Sequence, residues 1–133
     1  MMKRIALAAA AMTLSGLAIA APAEAVVYPK SIATACSERI VDTTVARGQS
    51  ILIDFKAVPT AGNGRPVGSV KFVFRNRAGK VIRTTTRSYG GKTTRYGFVP
   101  LRARGKITVA ARFRTPADSV YKGCSTRASF RRL

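Results

Sequence analysis

From residue 51 the chain reads Ile-Leu-Ile-Asp-Phe-Lys-Ala, with Ile51, Ile53, Phe55 and Ala57 in one phase of a two-residue period. The same period returns four times. It puts Val70, Phe72 and Phe74 in phase in "SVKFVFR", and Thr94, Tyr96 and Phe98 in "TTRYGFV". It does the same for Ile107, Val109, Ala111 and Phe113 in "KITVAARF", and for Cys124, Thr126, Ala128 and Phe130 in "CSTRASF". Side chains alternate across a strand, so each phase is one face of a half-buried strand. "VIRTTTR" (81–87) predicts a further strand, and "ATACSERIVDTTV" (33–45) a first strand at a sheet edge. Between them lie "TAGNGRPVG", "NRAGK", "YGGK" and "PLRARG", rich in the residues that make turns. About seven short strands, with turn signals every 8–15 residues or so, predict an all-β, two-sheet antiparallel β-sandwich. The inward phases of both sheets would build its core.

The residues that carry this pattern also resemble a known family. Pro66, Gly68, Val70 and Phe72 form a Pro-x-Gly-x-Val-x-Phe strand. Leu101 and Gly105 lead into the alternating run Ile107, Val109, Ala111, Phe113, and Asp118, Tyr121, Ser125 and Thr126 follow. Over roughly residues 41–130 the chain resembles the bacterial immunoglobulin-like repeat domains of secreted and surface proteins. The resemblance implies an immunoglobulin-like sandwich. Its motifs are core and turn positions, so it implies a fold and not a ligand. This chain differs from those domains in its strong basic charge and its pair of cysteines.

The first residues follow another logic. Lys3 and Arg4 precede an apolar run over Ile5–Ala21, Pro22 ends it, and Ala23-Glu24-Ala25 is a small-x-small cleavage site. Residues 1–25 therefore read as a secretory signal peptide, and 26–133 as a single domain. The run is marginal for a membrane anchor, the alternative reading, which needs roughly 20 strongly apolar residues, so no transmembrane span is expected. Export places Cys36 and Cys124 in an oxidising compartment, where two cysteines allow one pairing. Their disulfide would close most of the domain into one loop and contribute about 4–5 kcal/mol by chain entropy.

The chain has no histidine, so the commonest general base and the Ser-His-Asp triad are absent. Glu38, Asp42, Asp54 and Asp118 are the carboxylates of the expected mature chain. Glu38 and Asp42 would stand about 13 Å apart on a strand, so they form no carboxylate pair. With the cysteines bridged there is no thiol nucleophile. The expectation is a non-enzyme with no cofactor and no metal site.

Charge is the informative feature. The 133 residues hold 24 Lys and Arg against 5 Asp and Glu, a net charge of +19, and arginine outnumbers lysine two to one. In an immunoglobulin-like sandwich the third, sixth and seventh strands are neighbours in one sheet. Assigning them to "SVKFVFR", "KITVAARF" and "CSTRASF" sends Lys71, Arg75, Lys106, Arg112, Arg114, Arg127 and Arg131 to one outward face. Lys56, Arg83 and Arg95 fall on the opposite sheet or its edge. Such a face attracts polyanions with salt-dependent strength. Anionic polymers of the cell envelope or extracellular space are the expected partners: teichoic acid, acidic polysaccharide, anionic lipid headgroups or extracellular DNA. The expected location is extracellular, with retention at the cell wall. The alternative is a structural or protein–protein interaction module whose charge serves only solubility and keeps strand edges apart.

Overall fold

Eight strands follow one another, β1 (Thr34–Ile40), β2 (Thr44–Val45), β3 (Ile51–Pro59), β4 (Gly68–Arg75), β5 (Val81–Tyr89), β6 (Thr94–Phe98), β7 (Gly105–Arg114) and β8 (Cys124–Arg132). The computed structural model of the protein describes residues 30–133 and has no helix among them. The expected signal peptide at residues 1–25 lies outside the described residues. Within them no helix is long and apolar enough to cross a membrane.

The strands form two sheets, one ordered β1-β3-β6 and one ordered β2-β8-β7-β4-β5. All neighbours are antiparallel except β2, which runs parallel to β8. The stretch 33–45, expected as one edge strand, is two. β1 lies at the edge of the smaller sheet, residues 41–43 cross over, and β2 lies at the edge of the larger one. The crossing is held from both sides: the Val41 amide donates to the Leu52 carbonyl, and the Arg131 amide to that of Thr43.

The turns form where their residues demand it. Between β4 and β5 the Asn76 amide donates to the Lys80 carbonyl, and the Asn76 side-chain oxygen accepts from the Lys80 amide. Gly79 closes this turn at φ 84°, a conformation that costs a residue with a Cβ. At the start of β4, Gly68 is needed for space, because a Cβ there would lie 2.0 Å from the Arg114 carbonyl oxygen.

The sheets face each other through the inward phases read from the sequence. Ile51, Ile53, Phe55 and Ala57 of β3 are buried, as are Val70, Phe72 and Phe74 of β4 and Ile107, Val109, Ala111 and Phe113 of β7. Aromatic rings bridge the two layers edge to face. Phe72 lies 5.0 Å from Phe98 and 6.3 Å from Phe55, and Phe74 lies 5.2 Å from Phe98. Each such pair adds about 0.5–1.5 kcal/mol beyond the area it buries. The Tyr89 hydroxyl reaches β3, where it accepts from the Ala57 amide and donates to the Ala57 carbonyl. A buried phenol thus keeps its hydrogen bonds.

Cys36 on β1 is bonded to Cys124 on β8, with Cα atoms 5.6 Å apart. The bridge joins the smaller sheet to the larger where no backbone ladder does. It ties together residues 88 positions apart, so it removes much freedom from the unfolded chain.

Candidate functional site

β4, β7 and β8 are neighbours in the larger sheet, and each turns one phase inward. Strand alternation leaves the other phase outward. Lys71 and Arg75 of β4, Lys106, Arg112 and Arg114 of β7, and Arg127 and Arg131 of β8 are all exposed there. The register decides which of them meet. Lys71 stands directly opposite Arg112, and Lys106 directly opposite Arg131. Arg127 stands opposite Ala110, Arg75 opposite Thr108, and Arg114 opposite Ser69. The structure thus gathers all seven residues on one face.

Directly opposed like charges destabilise a sheet. Two such pairs stand here without relief, because the ion pairs found among the described residues are Arg39–Asp54 and Arg95–Asp54, at 2.9 and 2.7 Å. Both lie on the outer side of the smaller sheet. There the hydrogen bond from Arg95, with that from Arg39, holds the Asp54 carboxyl below its usual range. One outer face of the protein is therefore partly neutralised, while the other carries cations alone.

The face is concave. Val73, Thr108 and Ala110 share its middle, and their short side chains form the floor of an open groove of about 940 Å³. Lys71 and Arg112 border the floor on one side along the strands, Arg75 and Lys106 border it on the other, and Arg127 closes it on β8. Lys71 and Arg75 are four positions apart, about 13 Å at the usual strand rise. Arg77, in the turn after β4, reaches the rim and was not among the expected residues. Its signal was the turn itself, which returns the chain beside Arg75. The Arg75 guanidinium donates to the Gly79 carbonyl at 3.2 Å and is thereby braced against that turn.

Other cations have other work. Arg83 was expected on the opposite sheet or its edge, but β5 belongs to the larger sheet and Arg83 is in its inward phase. Its guanidinium donates to the carbonyls of Val99 and Pro100 and lies 5.9 Å from the Phe74 ring centre. Arg87 likewise donates to the Gly97 carbonyl and lies 4.8 Å from the Phe98 ring centre. A second basic cluster, Arg47, Arg102 and Arg104, surrounds Arg132, whose buried guanidinium donates to the Leu101 carbonyl.

The carboxylates are scattered in role. Asp42 accepts a hydrogen bond from Gln49, and Asp54 serves two arginines. Glu38 points inward on β1 with neither oxygen hydrogen-bonded, and burial pushes its pKa from 4.5 up to about 7. Both cysteines are bonded to each other. Among the described residues, no group of three or more Cys, Asp and Glu side chains is placed to hold a metal ion. No protein-family model matches the chain, and no curated protein matches it in sequence.

Proposed function

We propose that the chain is a secreted, non-catalytic immunoglobulin-like module that associates with anionic polymers of the cell envelope or extracellular space. The outer face of the larger sheet is the binding surface. The immunoglobulin-like reading rests on strand order. With β2 set aside, the third, sixth and seventh strands are neighbours in one sheet, and the first, second and fifth make the other. The fourth, β5, joins the third rather than the fifth. Export rests on the leader-like residues 1–25 and on the disulfide, a bond that persists in oxidising compartments. Cell-wall retention follows if the wall carries the polymer.

The observation that carries the reading is the pair of opposed like charges, Lys71–Arg112 and Lys106–Arg131, on a face without a carboxylate. Solubility requires exposed charge, but it does not require cations to be set against each other. Local violations of this kind are expected where a ligand supplies the missing counter-charge. Arginine's planar fork also suits bidentate contact with phosphate or carboxylate.

Retention on immobilised heparin and on purified cell wall tests it. Both are expected to fall steeply between roughly 50 and 200 mM salt. No retention at the lower concentration would sink the reading and favour a structural or protein-contact module.

A further inference from the structure

Resting on the polyanion reading, we infer that the groove over Val73, Thr108 and Ala110 seats a single slim polyol-phosphate chain. Such a chain is a flexible phosphodiester polymer without rings. The walls ask for repeated negative charge on both sides: Lys71 and Arg112 face Arg75 and Lys106 across the floor, with Arg127 at one end. At the other end Thr84 of β5 stands opposite Val73 and leaves the way open with only a hydroxyl. A chain crossing the strands passes over Thr84, Val73 and Ala110 and meets Arg127. Flexible spacers between its phosphates let successive groups turn to either wall.

The floor selects against ring-bearing polymers. The outward phase of the four strands β5, β4, β7 and β8 holds no aromatic side chain. Nucleobases held on a single strand need aromatic platforms to stack on, and here they find none. The hydrophobic faces of sugar rings lack the same partner. Val73, Thr108 and Ala110 are half-buried while the cations around them are exposed, so a flat lipid surface or a wide duplex meets the rims before the floor. The Thr108 hydroxyl at the floor can hydrogen-bond a phosphate oxygen that comes this close.

The test ranks four probes at low salt: a synthetic glycerol-phosphate oligomer, polygalacturonate and oligo-dT of equal charge number, and phosphatidylglycerol vesicles. The glycerol-phosphate oligomer is expected to bind at least about tenfold tighter than the others, a difference of about 1.4 kcal/mol. Filling the groove without changing charge, by Ala110→Phe or separately Thr108→Phe, is expected to erase that preference. Aromatic residues suit strands, so folding is expected to survive, and thermal melts check it. Equal binding of all four probes, or tighter binding of any of the other three, overturns the inference. So does unchanged glycerol-phosphate affinity in a folded, groove-filled variant. In each of these cases the polyanion reading still stands, whereas binding of no polyanion at all overturns both. If neither variant folds, the ranking of the probes decides.

Discussion

Glu38 is a carboxyl group held inside the sandwich with no hydrogen bond to either oxygen, and its pKa is raised to about 7. The unfolded chain releases that proton near 4.5, well before the folded protein does. Its contribution to stability is therefore full below about 4.5 and is lost as pH rises through about 7. Glu38→Gln keeps the shape and removes the titration. The variant is expected to melt at a higher temperature than wild type at pH 8 and to gain much less at pH 5. An equal difference at both pH values would contradict this. At the same scale, Arg83 marks a limit of reading residues from sequence. In "VIRTTTR" neither phase is apolar, since Arg83, Thr85 and Arg87 alternate with Ile82, Thr84 and Thr86. Alternation alone cannot say which phase faces inward. In the structure β5 is an edge strand, where the Arg83 guanidinium can lie beside the Phe74 ring and still donate to carbonyls at the rim.

At the scale of the element, β3, β4 and β7 were legible because each sets apolar residues in one phase, and β8 because Cys124, Ala128 and Phe130 share a phase with Thr126. That alternation fixed the outward parity of Lys71, Arg112 and Arg127. The break between β1 and β2 was not legible, because "VDTT" contains neither glycine nor proline, and only the pairing of each half with a different sheet reveals it. The concave floor was half legible: Val73, Thr108 and Ala110 are short residues in the outward phase, but the register that aligns them is a tertiary fact. Arg112→Glu places an acid opposite Lys71 and relieves a like-charge pair. It is expected to stabilise the fold by a few tenths of a kcal/mol, up to about 1, while weakening polyanion binding. Chemical denaturation and a heparin titration on one preparation check both halves, and stronger heparin binding by the variant would contradict them. Cys124→Ser opens the bridge between the sheets and is expected to cost about 2–5 kcal/mol in urea unfolding. An unchanged midpoint would mean that contacts between β1 and β8 hold the seam alone.

On the whole molecule, the net charge of +19 is not spread evenly. The smaller sheet pairs two of its outward arginines with Asp54, and Arg83, Arg87 and Arg132 are spent on backbone carbonyls. The larger sheet keeps its outward cations unpaired among the described residues, around a groove. If this arrangement is a site, position must matter more than charge number. Neutralising Lys71, Arg112 and Arg127 to Gln removes three charges from the face. Neutralising Lys56, Arg65 and Lys92 removes three from exposed positions elsewhere. The most direct measurement is the heparin affinity of both triple variants across a salt series. The face variant is expected to lose affinity, and the slope of log affinity against log salt to become shallower by roughly two to three if heparin follows the nucleic-acid rule of about 0.7–0.9 per lost contact. The control variant is expected to keep a slope close to that of the wild type. Equal losses in the two variants would show that diffuse net charge, and not this face, holds the polymer.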